Sequence, residues 1–178
     1  MAGPRSIKEK VHLPIYDSIT IEPKKKLSDI QIESSFRFFN HTKGKSNLET
    51  NVGLLSELGR FEGWGMRVVI ASDGMQNLMG KLIYNTVTSL VVGGKTAIEL
   101  PTWFFVGDGG GCAPVVTRQL EWSTTGGFRF AEPIVIDKQQ NFRAEMAAPH
   151  VGSFKELRRI LGPMRVWVAL DGYFTCET

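Results

Sequence analysis

Thr86-Val87-Thr88-Ser89-Leu90-Val91-Val92-Gly93-Gly94-Lys95-Thr96-Ala97-Ile98-Glu99-Leu100 is the stretch on which the fold class turns. Two runs rich in β-branched residues flank a Gly-Gly pair. Glycine tolerates the positive φ angles of a two-residue turn whose twist matches that of its strands. The stretch therefore predicts a β-hairpin turning at Gly93-Gly94.

Working outward, the same period-2 chemistry recurs. Upstream, Ser18 to Glu22 and Ile30 to Phe39 read as strands, each followed by turn material: Pro23 with the lysine run, then Asn40 to Ser46 with Gly44. Phe61 to Ile70 reads as another, with Glu62, Trp64, Met66 and Val68 as its buried face. Leu78, Leu82, Met79 and Ile83 have helical spacing, so 75–85 is a short helix or a loop. Downstream, Thr102 to Val106 continues extended until the glycine run 107–111, and a long loop reaches Gly127. Phe128 to Asp137, Phe142 to Ala147 and Arg165 to Leu170 are further strands. Ser153 is placed to cap a short helix over Phe154 to Leu161, which Gly162-Pro163 ends. Asp171-Gly172 is a type I′ turn signal ahead of a last strand, Tyr173 to Cys176. Many short strands with one or two helical insertions indicate an all-β sandwich or barrel.

A chain of 178 residues, 42% hydrophobic and 22% charged, suits one globular domain. Its apolar runs fall far short of the roughly 20 residues that span a bilayer. Met1 to Pro14 lacks the apolar core of a secretory signal, so synthesis and folding in a cytoplasm are expected. Cys112 and Cys176 cannot form a disulfide framework and are expected as free thiols. Charge is uneven. Residues 1–26 hold Arg5, Lys8, Lys10, Lys24, Lys25 and Lys26 against Glu9, Asp17 and Glu22, an excess equal to the net +3 of the whole chain. Such an arm suits nucleic acid, an acidic membrane surface or a neighbouring subunit. A solvated leader is the other reading of the same charges.

Catalytic signatures are weak. His12, His41 and His150 lie far apart in sequence, and the His-x-His strand of a metal-binding cupin is missing. The glycine run 107–111 lacks the Gly-Lys-Ser/Thr ending of a P-loop, while Gly44-Lys45-Ser46 has Phe39 where the first P-loop glycine belongs. There is no Gly-x-Ser-x-Gly elbow. Asp73, Asp108, Asp137 and Asp171 fall at turns, where aspartate caps backbone. Trp64, Trp103, Trp122 and Trp167 offer stacking platforms for single-stranded nucleic acid, although Trp167 sits in an apolar strand that favours the core. No enzyme activity, cofactor or metal is expected.

Several segments together resemble the capsid proteins of tailless icosahedral bacteriophages. They are Tyr16-Asp17-Ser18-Ile19, Phe38-Phe39, Gly44-Lys45-Ser46, Glu49-Thr50-Asn51-Val52, Leu58-Gly59 and Phe61 through Val69-Ile70. Downstream come Thr86-Val87 through Gly94-Lys95 to Leu100-Pro101, the glycine run, Glu132-Pro133-Ile134, Gln140-Asn141-Phe142 and Leu170-Asp171-Gly172. The resemblance runs from about residue 16 to 173 and rests on order and spacing. It implies a single eight-stranded jelly-roll barrel or sandwich over 27–178, preceded by the basic arm 1–26 with a candidate first strand. The better-known lineage of such phages fuses two jelly rolls in one chain, and this chain holds one.

It further implies a structural capsid protein that self-assembles into capsomers of a virion, with no catalytic residues to carry over. Major coat protein is favoured over a minor or vertex component. Expected partners are other copies of the chain, other capsid proteins, and the viral genome or an internal membrane through the arm. Leu48, Leu54, Leu55 and Leu58, in a segment with little strand or helix pattern, and Trp122 in the long loop are the candidate interface residues. The leucine segment equally suits folding over its own barrel. A ligand- or carbohydrate-binding β-sandwich module is the alternative from another functional class.

Overall fold

Short alternating runs punctuated by glycine and proline become antiparallel strands, and the computed structural model has nine of them among the described residues. It describes residues 8–21, 35–40, 46–48, 55, 59–72, 76–106, 127–148 and 164–177. The strands are β1 (Lys8–His12), β2 (Ile15–Ile21), β3 (Ser35–Phe38), β4 (Arg60–Ser72), β5 (Val87–Val92), β6 (Lys95–Pro101), β7 (Phe128–Ile136), β8 (Phe142–Ala147) and β9 (Met164–Glu177). Helix α1 (Gln76–Asn85) joins β4 to β5, and a single 3₁₀ turn, Thr102–Phe104, follows β6.

Two antiparallel sheets form a sandwich. One has the order β2-β9-β4-β7, with β1 also on β9; the other has the order β3-β8-β5-β6. β4 takes one edge of β9 from Met164 to Thr175, so β2 (against Met164 to Leu170) and β1 (against Tyr173 to Glu177) lie end to end along the other. The pairings follow one rule. β5 pairs with β6, β4 with β7, β3 with β8 and β2 with β9, and successive pairs alternate between the two sheets. The chain is thus a long two-armed ribbon, closed at the β5–β6 hairpin and rolled up around its core.

Between the sheets lie Phe38, Phe61, Met66, Leu90, Phe105, Met146 and Val168, each 1% exposed or less. Each such side chain contributes about 1.5–3 kcal/mol by leaving water. The phase of burial in β4 breaks at a bulge between Gly63 and Gly65. Before it Phe61 and Gly63 face inward; after it Met66, Val68 and Ile70 do. Met66 and Val68 are buried as expected, whereas Trp64 is the extra residue of the bulge and is exposed, and Glu62 lies on the outer side.

Three further expectations are corrected. Asp171-Gly172 is no turn, because β9 runs unbroken and even-numbered residues from Met164 to Phe174 all face inward. That same phase puts Trp167 on the outer face, half-buried, with the Arg165 guanidinium 5.3 Å from its ring centroid. Thr102 to Val106 is not extended: Pro101 ends β6 and the 3₁₀ turn follows. The candidate first strand within residues 1–26 is β2, which belongs to the sheet and places Ile15 and Ile19 in the core, while residue 26 itself lies outside the described residues. The hairpin at Gly93-Gly94 is as expected, with φ of +58° and +80° and Val92 opposite Lys95. The spacing at 75–85 resolves as helix α1. The helix expected over 154–161 lies outside the described residues.

Candidate functional site

The outer face of the larger sheet gathers the features that suit contact with another molecule. His12, Tyr173 and Glu62 stand in register across β1, β9 and β4. The His12 Nε2 atom is 2.7 Å from Asp171 Oδ1, and its ring centroid is 5.1 Å from that of Tyr173. Lys10 Nζ reaches across β9 to Glu62 Oε2 at 2.8 Å. One position on, the Leu13 N–H donates to the Gly172 carbonyl, and on the far side of Gly172 the bulge releases Trp64. Around this junction Tyr16, Trp64 and Tyr173 are each 40–45% exposed, as are Leu13 and Val11, the latter opposite buried Phe174 and therefore on the inner side of the sheet. An exposed ion pair such as Lys10–Glu62 contributes about 0–1 kcal/mol. Apolar surface rimmed by polar groups is the usual mark of an interaction face.

The other sheet presents a different outer face. Glu145 accepts from Arg143 Nε at 2.7 Å, and Arg37 Nε of the neighbouring strand lies 3.0 Å from the same oxygen. These polar groups overlie β5, whose Ser89 and Val91 are buried on that side. It reads as a solvated, charge-paired surface.

A second aromatic feature lies at the end of the sandwich beside α1. The rings of Trp103 and Phe104 are stacked at 3.9 Å, and both are exposed, as is Tyr84 on the helix. A buried hydroxyl chain holds this corner. Thr86 Oγ1 lies 2.7 Å from the Leu82 carbonyl, Thr102 Oγ1 lies 2.6 Å from Thr86, and Thr88 Oγ1 lies 2.7 Å from Thr102. A carbonyl only accepts, so Thr86 must donate to it. Thr102 must then donate to Thr86, and Thr88 to Thr102. The chain has one proton direction, and it ties the end of α1, the start of β5 and the 3₁₀ turn together.

Of the basic residues expected in an arm, Lys8 and Lys10 lie in β1, and Lys10 is paired with Glu62. Arg5, Lys24, Lys25 and Lys26 lie outside the described residues, as do Leu54, Leu58 and Trp122. Leu55 is buried in the chain's own core and Leu48 packs half-buried against it, so these two are covered within the subunit. Asn47, next to Leu48, also serves its own subunit: its N–H donates to the Tyr16 carbonyl, and its side chain accepts from the Tyr16 N–H and donates to the Pro14 carbonyl.

The His12–Asp171 pair was not legible in sequence, because 159 positions separate its members. Trp64, expected on the buried face of its strand, is exposed. Its flanking glycines, Gly63 and Gly65, are the only local sign of a bulge.

Among the described residues, no three of His, Cys, Asp and Glu stand together as a metal site, and no helix is long and apolar enough to cross a membrane. No protein-family model, curated protein or solved structure matches the chain.

Proposed function

We propose that the chain is a structural coat protein, a single jelly-roll subunit that self-assembles into capsomers of the icosahedral shell of a tailless virus. The observation that carries this reading is the strand order: a ribbon closed at β5–β6 and rolled so that β2–β9, β3–β8, β4–β7 and β5–β6 pair in alternate sheets. That order supports reading β2 to β9 as an eight-stranded jelly roll, an architecture that recurs in viral capsid subunits as well as in lectins and cupins. β1 is then a ninth strand outside the roll. The exposed aromatic and aliphatic residues at the β1–β9–β4 junction supply the interaction face that a shell subunit needs. The order and spacing of the segments from Tyr16 to Gly172 add the resemblance to phage coat proteins.

The partners on this reading are other copies of the chain and other capsid proteins, with the genome or an internal membrane reached through basic residues near the start. The site of action is the virion, and the role is structural rather than catalytic. Electron microscopy of the purified full-length protein, with sedimentation alongside, is expected to reveal rings or closed shells. A protein that stays monomeric at every concentration reached would overturn the proposal.

A carbohydrate-binding module is the second reading, favoured by one observation, the exposed Trp103–Phe104 stack beside Tyr84. Sugar rings pack their C–H faces on such platforms. Tryptophan fluorescence titrated with a panel of oligosaccharides, and again after Trp103→Ala, separates the two. Saturable quenching of a monomer that disappears in the variant would replace the coat-protein reading.

A further inference from the structure

We propose that β1 is an exchangeable strand, which in the assembled state leaves its own subunit and pairs with Tyr173–Glu177 of β9 in a neighbouring copy. The proposal deepens the coat-protein reading and rests on it for the existence of that neighbour.

β1 is built into the sheet without being built into the core. Glu9, Lys10, Val11, His12 and Leu13 are all exposed, and among the described residues none before Ile15 belongs to the core cluster. What holds β1 is its backbone ladder to β9, the Lys10–Glu62 and His12–Asp171 pairs, and the Leu13 N–H on the Gly172 carbonyl. Each of these acceptors belongs to the β9–β4 edge. A β1 strand arriving from a second copy in the same register meets the same groups, with the same charge complementarity. Exchange therefore keeps the contacts and changes only which chain supplies them.

The connection between β1 and β2 favours this. Leu13-Pro14 is exposed. Proline fixes its own φ and confines the residue before it to extended backbone, so the link is a stiff, straight hinge. β1 already lies in line with β2 along β9, and a change at this one hinge redirects it as a rod. Opening without exchange would leave the edge of β9 from Tyr173 to Glu177 unpaired, a liability that a reciprocal strand removes. Exchange also brings a neighbour beside Val11, Leu13, Trp64 and Tyr173, the exposed apolar residues around this junction.

The test uses two full-length chains, each carrying Cys112→Ser and Cys176→Ser and one introduced thiol. One carries Lys10→Cys and the other Thr175→Cys, positions that face each other across β1 and β9. Neither chain can form the 10–175 disulfide alone. The two are mixed before assembly and oxidised gently, and the linked peptides are quantified by mass spectrometry. A 10–175 interchain disulfide is expected roughly a hundredfold above that formed when Tyr84→Cys, on α1, replaces Thr175→Cys, because register pairing raises the effective thiol concentration. Both positions lie outside the core cluster. If they nonetheless disturb folding, His12→Cys with Tyr173→Cys tests the next facing pair. Particles that form normally with the disulfide no higher than the control would overturn strand exchange and leave the coat-protein reading standing. Monomers with neither particles nor cross-link would overturn both.

Discussion

Gly172 shows how one residue sets a local geometry that its neighbours in sequence do not reveal. A Cβ built there would lie 2.3 Å from the Glu62 carbonyl oxygen and 2.6 Å from Cζ of Phe61. The first of these is backbone of a central strand and cannot swing aside. The residue is glycine because β4 passes close at the bulge, and a turn is not the reason. Gly172→Ala is expected to destabilise the fold by at least about 1–3 kcal/mol, the usual cost of overpacking. For a chain of this length that is a melting temperature lower by about 2–12 °C, since each kcal/mol moves it by roughly 2–4 °C. Calorimetry of the purified variant reads this directly, and an unchanged melting temperature would mean that β4 and β9 do not approach as described.

Among the elements, the β5–β6 hairpin is the most local and the most strictly encoded. Gly94 has φ of +80° and open space where a side chain would go, so a substitution there meets backbone strain and no steric clash. Gly94→Val is expected to cost about 1–3 kcal/mol, because a β-branched residue is poorly accommodated at positive φ. Gly94→Asn should cost much less, since asparagine tolerates that region. Thermal melts of the two variants side by side would separate strain at the turn from a general intolerance of side chains. The long strand β9 is the opposite case. It serves as the partner of β1, β2 and β4 at once, so its continuity through Asp171-Gly172 reflects three neighbours more than its own turn propensity.

For the whole molecule, the division that matters falls at the Leu13-Pro14 hinge and not at the end of the basic segment. β2 places Ile15 and Ile19 in the core, and the buried Asp17 carboxylate accepts the N–H groups of Ser18 and of Phe39, the residue that follows β3 of the opposite sheet. Removing residues 1–13 should leave a folded sandwich with near-native circular dichroism. Removing residues 1–21 should abolish folding, because an uncovered edge of β9 and a core without Ile15 and Ile19 remain. Equal stability of the two truncations, read by chemical denaturation, would contradict the role given to β2.

What the sequence determined by itself is what a few adjacent residues can encode. The period-2 runs, the Gly-Gly turn with its required positive φ, and the all-β class all follow from local sterics and from alternation against a core. Tertiary structure alone decided which strands pair. The rolled ribbon joins β2 to β9, the His12–Asp171 contact spans 159 positions, and the bulge at Trp64 changes which residues of β4 face inward. Such pairings are settled by burial and register over the whole chain, and Asp-Gly reads identically whether it turns a hairpin or, as here, lets two strands press together.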